Sequence, residues 1–380
     1  MTTTTPAAGT AAAAPATPPA PAAPSFAQSA WLVAEREIAS KLRSKAFIIS
    51  FAILFIGALA LVVWAGFQAK TVSTTSVAVT ADAQQYVSGI PNLEVTDVAD
   101  RAAADALVES GDVTAAIVAD SASPTGFALI ADDSAPTSLL MTFAHVPTVE
   151  LLNPSTTDPG LRYIVAIGLG IVFLLSAQLF GSTIAQSVVE EKQTRVVELL
   201  ISAIPVRALL AGKVLGNTIL AMGQILVLAA IAVVGLTVTG QSEVLQVIGA
   251  PLAWFAVFFL LGFILLAALF AAAAAMVSRM EDVGSTTAPL IYLIMIPYFL
   301  VIFFNDNPLV LGIMSYVPFS APVGMPMRLF TGEAQWWEPL LSLGILAATC
   351  VGAIWVGAKI YENSLLRMGA RVKLTEALRG

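Results

Sequence analysis

The chain is 380 residues long, 58% hydrophobic and only 11% charged, whereas roughly 25% of residues in a soluble domain are charged. Such a chain cannot cover its surface in water, so lipid must be the solvent for much of it. A single cysteine, Cys350, and a single histidine, His145, exclude an intrachain disulfide, a Cys-based metal site and most hydrolytic and metal chemistries.

Residues 1–25 are Ala, Pro and Thr without charge, a composition that cannot offset its ordering entropy and reads as disordered. Residues 26–45 read as an amphipathic interfacial helix, with Trp31, Ile38 and Leu42 on one face. Arg36, Glu37, Ser40 and Lys41 take the other, with Glu37 and Lys41 as an i, i+4 ion pair. Residues 46–69 carry no charge and are long enough to cross a ~30 Å hydrocarbon core. About 90 residues of ordinary soluble composition follow (70–160). Strands are expected at 76–80, 93–98, 114–119 and 127–132, a helix at 100–110 ending at Gly111, and a second at 136–152. Strands alternating with helices make this a small α/β domain. It holds twelve acidic residues and one basic residue, Arg101, between Thr71 and Pro159, read as a solvated acidic face.

Further uncharged runs at 163–189, 214–242, 244–278, 283–305 and 339–358 bring the spans to six. The stretch 307–327 is also uncharged, but Pro308, Pro318, Pro322 and Pro326 break an isolated helix there. It reads as a re-entrant segment rather than a seventh span. With both termini cytoplasmic, all but four of the 18 basic residues (Lys70, Arg101, Arg162, Arg328) lie inside, as the positive-inside rule requires. The expected fold is thus an α-helical polytopic protein of the cell membrane, six transmembrane helices with a small α/β extracytoplasmic domain between the first and second.

After the second span, Val189, Val196, Val197, Leu200, Ile201 and Ile204 form one arc of a helix over 188–204. Glu191, Arg195, Glu198 and Ser202 form the other, and Glu191–Arg195 is an i, i+4 pair. Pro205 ends this helix. Inside the spans, Gln178, Asn217 and Gln224 are polar candidates for a pathway, with interhelical hydrogen bonding as the plainer alternative. The spans carry no Asp or Glu near their middles, against a proton- or sodium-coupled carrier, and no paired Asp, Ser/Lys or His-rich set for an intramembrane enzyme.

The segment EEKQTRVVELLISAIPVRALLAGKVLG (190–216) resembles the hallmark of type-2 ABC transporter permeases, particularly their sodium-extrusion, NatB-like branch. EREIASKLRSKAFI, SYVPFSAPVGMPMRLFTGEAQWWEPLLS and IYENSLLRMGARVKLTEALRG resemble other parts of that family. The resemblance implies that Glu190, Glu191, Lys192, Arg195 and Glu198 dock on a separate ABC ATPase subunit. It likewise implies that Glu35, Arg36, Glu37 and Lys41 belong to an elbow helix, and that the permease works as a homodimer or a pair. The chain has no nucleotide-binding loop, since Gly212-Lys213 lacks both the first Gly and the Ser/Thr of GxxxxGK[ST]. It would bind no cofactor itself, with ATP and Mg on the partner subunit, and no nucleic acid. The exporter's substrate is left open among sodium, drug, peptide and lipid. The competing reading is a non-transporting membrane sensor or anchoring protein that uses its external domain.

Overall fold

The computed structural model describes residues 24–70, 75–90, 93–123, 125–132, 139–140, 143, 159–365, 367 and 372–379. The expected tail over 1–25, apart from its last two residues, and most of the helix expected at 136–152 lie outside them. The first helix, α1 (Phe26–Arg43), starts on a capping box in which Ser25 and Gln28 satisfy each other's backbone N–H. After Ser44 the chain continues as α2 (Lys45–Lys70).

A four-stranded sheet follows, β1 (Thr75–Thr80), β2 (Leu93–Val98), β3 (Ala115–Ala119) and β4 (Phe127–Ile130), in the order β2-β1-β3-β4. The central strand β1 runs parallel to β2 and β3, and β4 returns antiparallel to β3. Parallel strands require crossovers; α4 (Arg101–Glu109), which the Asp100 side chain caps, carries the chain from β2 across β1 to β3. A one-turn helix, α3 (Gln84–Val87), follows β1. Alternation along β1 sends Val77 and Val79 to one core and Ala78, under α4, to the other.

The remaining long helices are α5 (Pro159–Gln193), α7 (Val206–Val238), α8 (Ser242–Ala275), α9 (Val283–Phe303) and α12 (Glu338–Leu365). With α2, six helices among the described residues are long and apolar enough to cross a membrane. The most enclosed is α8, whose last residues, Ala271 to Ala275, are all buried and let α5 and α12 approach it. Where α5 meets α8, Phe173 packs edge to face on Phe259 and Phe180 on Phe263, Phe259 and Phe263 being stacked on each other. The proline-rich stretch folds as α10 (Pro308–Met314) and α11 (Ala321–Thr331), both too short to cross. Its helical content goes beyond a proline-broken loop because Pro308 and Pro322 sit in the first turn of each helix, where no N–H is needed. Arg328 fastens the hairpin by pairing with Glu338 at 2.7 Å and donating to the Ser315 hydroxyl. The short α6 (Val196–Ala203) and α13 (Leu374–Arg379) complete the chain.

Candidate functional site

The contact that organises the basic end of the bundle is between α1 and α7. Gly212 and Gly216, one turn apart on α7, admit the backbone of α1. A Cβ at Gly212 would stand 2.4 Å from Val33 Cβ and 2.5 Å from the Ala30 carbonyl oxygen, so only glycine fits. This approach decides which side of α1 faces inward. Ala30, Val33, Ala34 and Glu37 are buried, whereas Trp31 and Leu42 are exposed. Within the chain α1 therefore packs by its small residues, and its large apolar side chains point outward; the one correction is Glu37, expected on the solvent-facing side and found packed inward.

Lys213, beside Gly212, is fully buried among acidic partners. Its ammonium donates to Glu37 Oε1 at 2.8 Å and Ser187 Oγ at 2.6 Å, and lies 2.9 Å from Glu191 Oε2. The Ser187 hydroxyl donates in turn to Glu37, and Arg36 binds the other oxygen of Glu191 and approaches Glu37 at 3.5 Å. Two carboxylates and two cations from three helices thus form a neutral cluster. Burial alone would push the Glu37 carboxyl up; the Lys213 ammonium, by charge and hydrogen bond, together with Arg36 and Ser187, outweighs it and holds the group below the ordinary carboxylate range. The expected ion pairs Glu37–Lys41 and Glu191–Arg195 give way to these contacts, because a buried carboxylate needs a buried cation and Lys213 reaches both. Lys41 instead lines the polar cavity, about 270 Å³, next to the cluster, where burial lowers its pKa. Glu35 faces outward and takes no part.

Lys192 is fully buried as well. It donates to the carbonyls of Ala275 and Ser364, at 2.8 and 2.9 Å, where α8 and α12 end. An ammonium at two helix C-termini meets unsatisfied carbonyls and the negative ends of two dipoles. The Glu-Glu-Lys run is consequently split. Glu190 is exposed, while Glu191 and Lys192 are internal ties.

The helix expected over 188–204 is not continuous. Residues 188–193 close α5, Arg195 turns the chain in a left-handed conformation (φ 58°), and α6 starts afresh at Val196. Val197 is buried, and Glu198, Leu199 and Ser202 face outward, Leu199 at 73% exposure. Leu199 belongs to neither arc of the sequence pattern, so only the structure places it outward. Of the intramembrane polar residues, Asn217 and Gln224 are buried and tie α7 to α5. Thr183 donates to Asn217, and Gln224 donates to Ser176. Gln178 faces outward and donates to Ser182 of its own helix.

Residues 45–359 match the sequence pattern of the family described as ABC-2 family transporter protein. The chain belongs to that family. As an ABC-2 family chain with several apolar helices it is a multi-pass membrane protein. It is 29% identical over 222 residues to "Uncharacterized protein YhaP" of Bacillus subtilis (strain 168), an alignment covering 55% of this chain and 52% of that protein. It is 28% identical over 204 residues to "Uncharacterized protein MJ1024" of Methanocaldococcus jannaschii, covering 52% and 49%. The chain spans about half the length of these curated relatives. No solved structure matches it.

Proposed function

We propose that this ABC-2 permease exports its substrate with energy delivered by a separate ABC ATPase subunit that docks on α6. One observation carries the reading: a short helix with an outward acid, an outward apolar knob and an outward serine is mounted between two spans whose ends are internally tied. Both termini and α6 would be cytoplasmic, in keeping with the positive-inside distribution of Lys and Arg. Two permeases, identical or paired, would enclose the pathway, with ATP and Mg held by the partner. Membership of the NatB-like branch, with sodium as cargo, rests on the hallmark resemblance.

Docking contacts would be made by Glu198, Leu199 and Arg195, with Glu190 at the margin. Glu191 and Lys192 would transmit rather than touch. Glu198→Lys with Leu199→Asp tests this, because neither side chain contributes to the core. Reversing a charge at an interface sets like charges together at a cost of several kcal/mol. The expected result is normal expression and thermal stability with loss of the co-purifying ATPase and of transport-coupled hydrolysis. Wild-type association and activity in that variant would overturn the assignment.

A further inference from the structure

The structure assigns a second site, a groove of about 950 Å³ where the start of α1 meets α7, α8 and α12. We infer that it seats one phospholipid with an anionic headgroup, its acyl chain along the groove and its phosphate on Lys359.

The wall is apolar, formed chiefly by Leu210, Val214, Leu215, Ile264, Ile354 and Trp355. Every polar lining residue except Thr218 stands at the basic end, and the Thr218 hydroxyl is already satisfied by the Val214 carbonyl. The deep part therefore offers nothing to a polar ligand and suits a hydrocarbon chain. The volume lies within the ~300–1,000 Å³ usual for sites that take a small molecule.

Length supports the same occupant. From Arg207 to Thr218 along α7 is about 17 Å, and from Asn363 to Val351 along α12 about 18 Å, at 1.5 Å per residue. Half of a ~30 Å hydrocarbon core is about 15 Å, so the groove covers one leaflet from headgroup level to midplane. Trp355 and Val351 form its outer lip and are largely exposed, so the groove opens sideways, where lipid stands.

The mouth supplies the charge. Arg207 and Glu362 bind each other through two hydrogen bonds, of 2.7 and 3.1 Å, and cancel. Lys359 is exposed at the same rim and has no ion pair among the described residues, so the mouth carries one net positive charge. A single cation above a leaflet-deep apolar groove favours an anionic over a zwitterionic headgroup. One cation near the membrane surface is worth about a fivefold preference.

The test uses the full chain in nanodiscs of equal phosphatidylcholine and phosphatidylglycerol, followed by detergent extraction and native mass spectrometry of retained lipid. The expected result is one phosphatidylglycerol per chain, enriched about fivefold over phosphatidylcholine. Lys359→Glu, an exposed change that leaves the core intact, should abolish the enrichment. Ala211→Trp, which fills the groove from α7, should reduce retention of both lipids. Retention in the bilayer ratio, or an unchanged preference in Lys359→Glu, would overturn the site. These readouts use neither ATP nor an ATPase, so loss of docking in the Glu198/Leu199 variant leaves them unaffected.

Discussion

Removing the ammonium at the centre of the buried cluster is the sharpest perturbation available. In Lys213→Met the stem is roughly kept and the charge lost, leaving Glu37 and Glu191 facing one another. Two contacts disappear, at 2.8 and 2.9 Å, each worth about 6 kcal/mol of attraction at an effective dielectric of ~20. That gross figure overstates the net effect, because the desolvation of the lysine is refunded. Arg36 also still holds Glu191, and water can enter from the adjoining polar cavity. Breaking a buried pair by removing one partner costs about 3–5 kcal/mol, and these reliefs place this case near 3. The expected effect is a fall of about 5 °C or more in the midpoint for detergent-extracted protein followed by fluorescence-detected size exclusion. Adding Glu37→Gln and Glu191→Gln removes the orphaned charges, and the triple variant should recover most of the loss. A Lys213→Met midpoint within about 1 °C of wild type would refute the reasoning, as would a triple variant weaker than the single one.

Two further outcomes concern the same helices. Gly212→Val must push α1 away, since even its Cβ would stand 2.4 Å from Val33 Cβ. It should cost about 1–3 kcal/mol and speed tryptic cleavage in α1, which an unchanged digestion rate would contradict. The Glu37 carboxyl is held below the ordinary carboxylate range, so the folded chain gives up that proton more readily than the unfolded one. Its stabilisation is complete above the ordinary carboxylate value and is lost as pH falls through the folded value. Glu37→Gln should therefore flatten the acid limb of the midpoint against pH, and a limb of unchanged slope would count against the cluster.

The elements were legible where the signal lies within one segment. An uncharged run of about 20 residues spans whatever its neighbours do, and the strands of the inserted domain are short runs rich in alanine and β-branched apolar residues, β1 and β3 being buried along most of their length. Helix faces were legible only in part. In α1 an apolar stripe of Trp31, Ile38 and Leu42 competed with a stripe of alanines and Glu37. The choice between them was made by Gly212 and Gly216, on another helix far along the chain. Glu191 and Lys192 were expected at a docking surface, since isolated charges prefer an accessible position. Lys213 and the helix ends at Ala275 and Ser364 reversed that preference by offering complete partners, and no local pattern announces such partners. The break at Arg195 was likewise invisible, since arginine ordinarily continues a helix and its positive φ is imposed by the turn it must make.

The break and the cluster bear on each other mechanically. If α6, eight residues from Val196 to Ala203, receives a partner as proposed, it can move the bundle only through stiff attachments. On one side α6 joins α5 through the turn at Arg195, and on the other it meets α7 at Pro205, where the backbone is extended and restricted by the ring. Immediately before the first joint, Glu191 binds α1 and α7, and Lys192 binds the last carbonyl of α8 and a carbonyl near the end of α12. Eight residues into α7, Lys213 returns to α1 and α5. On the coupling reading, a push on Glu198 and Leu199 thus reaches four spans and α1 within two turns, through ion pairs and hydrogen bonds made directly between helices. The charges of the hallmark segment would then divide the labour, with the exposed ones receiving the partner and the buried ones conveying its movement.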